Sequence, residues 1–129
     1  MSEHIVKSFD TELVRLTQEI GRMGEIASAQ LDAAVDVLIR RDSRAAERVV
    51  ANDEAIDALE REVSHDVLRL LALRQPMARD LREVYATLRI SSDIERIGDH
   101  ATNIAENTWF LVHGEDLPPG RAKGDLTSQ

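Results

Sequence analysis

IVKSFDTELVRLTQEIGRMGEIASAQLDAAVDVL, residues 5–38, decides the fold class. Ile5, Phe9, Leu13, Leu16, Ile20, Met23, Ala27, Leu31, Ala34 and Leu38 follow one another by threes and fours. At ~100° per residue all ten positions fall within an arc of roughly 80°, one face of an α-helix. A strand would place apolar residues at every second position, and no such alternation survives here. The stretch is expected to continue to about Arg41, a rod of ~37 residues and roughly 55 Å at the helical rise. Gly21 and Gly24 each lower helix propensity by ~1 kcal/mol. Gly24 flanks the apolar stripe, where it is either simply tolerated or lets a neighbouring helix come close.

Outward from this rod, Arg41-Asp42-Ser43 reads as a short turn. Asp42 or Ser43 can accept a hydrogen bond from the first amides of a second helix. That helix is expected from about Arg44 to Leu73, burying Ala46, Val49, Ile56, Leu59, Val63, Val67 and Leu70. Arg74-Gln75-Pro76 ends it, because the residue before a proline avoids helical dihedrals and Pro76 suits the first turn of a new helix. A third helix follows from about Pro76 to His113, with Leu81, Val84, Leu88, Ile90, Ile94, Ile97, Ala101, Ile104 and Leu111 as its apolar positions. Connections this short make consecutive helices antiparallel neighbours. The expected fold is all-α, an up-down-up antiparallel three-helix bundle over residues 1–113. Gly114 stops the last helix, and 114–129, rich in Pro, Gly and polar residues, reads as a disordered tail.

Composition narrows the function classes. The 129 residues carry a formal net charge of -8, the wrong sign for a surface that grips the phosphate backbone, so nucleic acid is not an expected partner. With no cysteine, thiolate metal sites and disulfides are excluded, and a reducing compartment is compatible. No apolar run is long enough to enter a membrane, and MSEHIVKSFDTE lacks the apolar core of a signal peptide, so a cytoplasmic location is expected. Aromatic residues make up 3% of the chain, so the core must be built from aliphatic side chains.

Two acidic constellations stand out. Asp53 and Asp57 lie at i and i+4 on the second helix, and Glu60 continues their line. Glu95 and Asp99 repeat the spacing on the third helix, followed by Asn103 and Glu106. Like charges one turn apart destabilise an exposed helix by a few tenths of a kcal/mol, a cost that water tolerates and a cation removes. Oxygen-only ligands suit iron, manganese, magnesium or another hard divalent cation better than zinc or copper. Counted from Gln75-Pro76, the two pairs reach similar heights on neighbouring helices. The apolar stripe drawn through Ile94, Ile97 and Ile104 nevertheless sets Glu95 and Asp99 nearly opposite it, on a face different from that of Asp53 and Asp57. A rival metal motif, Glu62-x-x-His65, occurs once and points away from its helix's buried stripe, so a diiron enzyme of the ferritin type is rejected. Nucleophile–base pairs and phosphate-binding loops have no counterpart here, and no enzymatic activity is expected.

Three stretches carry a resemblance. Asp93-Ile-Glu-Arg-Ile-Gly-Asp-His-Ala-Thr-Asn-Ile-Ala-Glu106 resembles the third-helix motif of the PhoU family of phosphate-uptake regulators, and is the specific one. Asn52-Asp-Glu-Ala-Ile-Asp57 resembles the family's second-helix acidic motif, and Arg74-Gln-Pro-Met-Ala-Arg-Asp-Leu-Arg82 its helix-turn entry. The likeness covers about residues 4–116. It implies helical bundles and metal binding at Asp53, Asp57, Glu95 and Asp99; Glu60, Asn103 and Glu106, by their positions on the same helices, are candidates for further ligands. It implies as partners a sensor histidine kinase and the ATPase of the phosphate ABC transporter, and as function repression of the phosphate-starvation response. The family usually carries two such repeats. This chain resembles one, with an opening like the first repeat and an end, from about Ile94, like the close of the second.

The leading expectation is therefore a PhoU-type binding regulator with no organic cofactor; the alternative is a metal-free helical scaffold or adaptor unrelated to phosphate. A single bundle leaves part of each rod uncovered, and Val50, Leu68, Leu71 and Leu73 flank the second helix's stripe. A homodimer covering that flank is expected.

Overall fold

Arg41 and Asp42 turn the chain from one rod into the next. In the computed structural model, which describes residues 3–73 and 78–119 and the side chains of 10–72 and 80–119, α1 spans Glu3–Arg40 and α2 spans Ser43–Leu73. Arg41 takes the left-handed conformation (φ 57°), its amide bonds back to the Leu38 carbonyl, and the Asp42 amide reaches the Val37 carbonyl. These two bonds close the orphan carbonyls of α1 in a Schellman arrangement. Asp42 then opens α2: its Oδ1 accepts from the Ala45 amide at 3.0 Å. Of the two candidate caps, Asp42 is the one used. α3 spans Ala78–His113 and ends at Gly114, which adopts φ 76° while its amide donates to the Phe110 carbonyl at 2.7 Å. The expected turn and helix start at Arg74-Gln75-Pro76 lie outside the described residues.

All three helices pack on one another, giving the expected up-down-up bundle. The core has two parts. Around the middle and the α1 N-terminal side, Leu16, Ile20, Met23, Ile56, Val63, Val67 and Leu70 interdigitate with Val84. Each fully buried aliphatic side chain of this size contributes about 1.5–3 kcal/mol. Towards the α1–α2 turn the core thins to Ala34, Ala46, Ala101 and Ala105 with Val37, Val49 and Val50, which lets the axes come closer. Leu117, past the end of α3, folds back onto this alanine-rich end. Within the expected tail, 114–129, Leu117 is thus packed, and residues 120–129 lie outside the description.

The expected stripe of α2 is buried at every position, and that of α1 from Leu16 to Ala34 is buried or half-buried. At the end of α1 the core takes Val37 and leaves Leu38 exposed. Gln30, polar and therefore unmarked by an apolar count, is buried because its Nε2 donates to the Val49 carbonyl at 2.7 Å. α3 departs most. Val84 and Ala101 are buried and Ile94 and Ile104 half-buried, but Leu81, Leu88, Ile90, Ile97 and Leu111 are exposed. The face that packs instead is Val84, Ser91, Gly98, Ala101, Thr102, Ala105 and Thr108. Small side chains win because the neighbouring rods lie too close for isoleucine, and two of the three hydroxyls on this face find partners while Thr102 Oγ1 is buried without one. Thr108 Oγ1 donates to the Ile104 carbonyl at 2.8 Å, and Ser91 Oγ contacts Met23 Sδ at 3.8 Å. No described helix is long and apolar enough to cross a membrane.

Candidate functional site

The shifted face of α3 relocates the acidic pairs. With Ser91, Gly98 and Thr102 facing the core, Glu95 sits on the flank of that face rather than opposite it, and is half-buried. Burial raises the Glu95 carboxyl above its ordinary value, and the fields of Glu60, Asp99, Asp57 and Asp53 add to the rise in that order. Every sequence-expected carboxylate pair is therefore felt at one side chain. Glu95 therefore does not lie opposite the packed face of α3, as the isoleucine stripe had set it, but where the carboxylates of α2 act on it.

Gly98 marks a close approach of α3 to α2. A Cβ there would stand 2.8 Å from Ile56 Cδ1, closer than real Cβ atoms approach, and a tight 3.2 Å from Asp53 Oδ1. Glycine lets α3 rest against α2 here without displacing the Ile56 side chain, and Asp53 is seated beside the α3 backbone at 1% exposure. Gly24 has no comparable role, since its added Cβ would meet Ile94 at an ordinary 3.7 Å. Glu60, on the next turn of α2, accepts a hydrogen bond from Ser64 Oγ at 3.3 Å. Asp57 is half-buried, while Asp99, Asn103 and Glu106 are exposed along α3.

The donor set is all oxygen and suits a hard cation. Yet among the described residues no three His, Asp or Glu side chains already stand together as a ligand sphere. The carboxylates share a field, and a cation would have to draw the exposed ones inward. Glu62 and His65 point outward, His65 at 76% side-chain exposure, as the rejection of the diiron motif requires. His113 stacks on Trp109 with ring centroids 4.0 Å apart. Val50 is buried rather than available for an interface, Leu68 is 70% exposed and Leu71 is exposed, and the Leu73 side chain lies outside the description.

Against this geometry, a family model described as the PhoU domain matches residues 20–108. The chain belongs to the PhoU domain family. The matched span takes in all three motif stretches, from Asn52 to Glu106. The chain is 62% identical over 129 residues to a Xylella fastidiosa (strain 9a5c) protein named phosphate-specific transport system accessory protein PhoU homolog, covering 98% of this chain and 54% of that protein. Proteins of the same name from Caulobacter vibrioides (strain NA1000 / CB15N) and Rhizobium meliloti (strain 1021) are 45% and 37% identical, over 91% and 94% of this chain and 51% of each relative. This PhoU-family chain thus spans about half the length of the curated relatives it matches. The Xylella match leaves room for few gaps, so the chain follows one continuous half of that relative. The end of the chain continues that same half and is not joined from a distant second repeat. No solved structure gives a match.

Sequence reasoning missed Gly98, Ser64 and Gln30. Gly98 lies inside the quoted Glu95-Arg-Ile-Gly-Asp99 and could have been marked as a contact point, since a mid-helix glycine persists against its propensity cost for a packing reason.

Proposed function

We propose that this chain is a PhoU-type regulator of phosphate uptake and phosphate-starvation signalling, acting in the cytoplasm without catalysis. It docks through helix faces on a sensor histidine kinase and on the ATPase of the phosphate ABC transporter. The family match over residues 20–108 carries this reading, and the shared name of the relatives supports it. Binding of the purified chain to the kinase's cytoplasmic region and to the ATPase, measured by interferometry, is the direct test. Saturable binding to both is expected, and binding to neither overturns it.

The site that serves this role is the α2–α3 groove, with Asp53, Asp57, Glu95 and Asp99 holding iron, manganese, magnesium or another divalent cation and Glu60, Asn103 and Glu106 close by. A bound cation neutralises mutually repelling carboxylates and would make docking depend on metal supply. Titration calorimetry on the parent and on the Glu95→Ala/Asp99→Ala variant tests this part. The parent is expected to bind Mn or Fe and the variant to lose it, while the metal-free variant gains a few tenths of a kcal/mol from relieved repulsion. Unchanged binding sinks the assignment.

A second reading, a metal-free PhoU-type adaptor, is favoured by the lack of a preformed ligand sphere among the described residues. It predicts no heat with either ion. In both readings Leu68 and Leu71 lie on the surface through which two copies associate, and sedimentation equilibrium returning a monomer mass would remove the dimer.

A further inference from the structure

A second carboxylate pair lies on the other side of α2 and has no part in the groove above. Glu19 of α1 faces Asp66 of α2. The Glu19 side chain keeps 14% of its exposure and that of Asp66 8%. Glu19 Oε1 is fully buried and, with both groups ionised, has no hydrogen-bond partner. Two carboxylates contain acceptors only, so the hydrogen-bonding approach of Glu19 to Asp66 becomes a bond when one of them holds a proton. Leaving that atom buried and unsatisfied instead is unfavourable, since it has given up water and gained no partner.

Among the described residues, the surroundings do not supply an alternative. On α1, the Arg15 guanidinium is 3.9 Å from Glu19 Oε2 and 3.9 Å from Asp66 Oδ2, long contacts from a half-exposed side chain. Glu12, also on α1, is engaged by Arg69 of α2 at 2.8 Å. On α2, Glu62 adds negative charge to Glu19, and His65 Nδ1 lies 3.6 Å from Asp66 Oδ1, on a ring turned to solvent. α3 presents Val84 and Ser91 to this part of the core, and among the described residues no charge of α3 ranks among the influences on Glu19. An open groove of about 490 Å³ lined by Arg15, Arg61, Glu62, His65, Asp66 and Arg69 brings water to one side of the pair. It is not an anion site: Arg61 is held by Glu54 at 3.1 Å, Arg69 by Glu12, and Arg15 by the pair itself.

We propose that Glu19 and Asp66 form a proton-sharing clasp across the α1–α2 seam, closed while the proton is held and loosened when it leaves to the groove. Loss of the proton leaves two buried like charges at hydrogen-bonding distance, and separation of the helices or entry of water relieves them. Burial, the hydrogen bond to Asp66 and its charge raise the Glu19 carboxyl from 4.5 to about 7, so the change falls near neutral pH. The folded form holds its proton where the unfolded chain has lost it. The clasp's contribution is therefore complete below about pH 4.5 and is lost as pH rises through about 7.

The test uses the whole chain with chelator in every arm, which separates it from the cation site. Glu19→Gln keeps an uncharged donor towards Asp66. Its melting midpoint is expected to match the parent's near pH 5 and to exceed it by a growing margin up to pH 8. A difference independent of pH overturns the proposal. Should the variant not fold, the ¹³C carboxyl resonance of Glu19 in the parent decides, with a midpoint near 7 expected and one near 4.5 overturning. The loosening has its own readout: the chain lacks cysteine, so spin labels at Val14→Cys and Leu68→Cys, diluted with unlabelled protein, report one distance. That distribution is expected to broaden between pH 5.5 and 8 in the parent and not in Glu19→Gln. An unchanged parental distribution removes the switch.

Discussion

The two seams of α2 are closed by opposite means. Against α1, polar groups reach across: Gln30 donates to the Val49 carbonyl, Arg69 pairs with Glu12, and Glu19 meets Asp66. Against α3, the Gly98 backbone takes the place of a side chain, and the helices meet through Ile56 and Asp53. Both seams hold carboxylates raised by burial, yet their neighbours differ. Arg15 moderates Glu19, whereas the charges acting most strongly on Glu95 are all negative. The first seam sets a guanidinium beside its carboxylates, while the charges that raise Glu95 at the second are acidic.

The largest expected effect comes from the seam that polar groups close. Gln30→Ala removes a buried donor, strands the Val49 carbonyl and opens a void, and is expected to destabilise the chain by about 2 kcal/mol in urea unfolding. A loss below about 0.5 kcal/mol would mean that the crossing bond is not what holds α1 to α2. Gly98→Ala tests the other seam. Overpacking against fully buried Ile56 costs about 1–3 kcal/mol and the gain in helix propensity returns about 1, so a net loss near 1 kcal/mol is expected. A stabilised variant would show that α3 does not need glycine to reach α2. The smallest effect belongs to Arg15→Gln. Arg15 lowers the Glu19 carboxyl, so its removal shifts the Glu19 midpoint upward while stability at pH 5 changes little, since the side chain is half-exposed. A downward shift would place the cation's influence elsewhere and make the two seams alike.

Spacing alone determined the helices. The threes and fours from Leu13 to Ala34, the turn at Arg41-Asp42-Ser43 and the stripe from Ala46 to Leu70 are local properties, read correctly because large aliphatic side chains mark the buried face wherever there is room for them. The acidic i,i+4 pairs were likewise legible as pairs. What they face was not. That depended on the rotation of α3, and α3 packs through Ser91, Gly98, Ala101, Ala105 and Thr108 while Ile90 and Ile97 remain outside, Ile97 at 40% exposure. Hydrophobicity ranks isoleucine above glycine, but in a seam this narrow the deciding quantity is volume, and the partner's shape sets it. The proton shared by Glu19 and Asp66 is a tertiary matter for the same reason. The two lie 47 positions apart, and neither is unusual until the α1–α2 seam takes both carboxyls out of water.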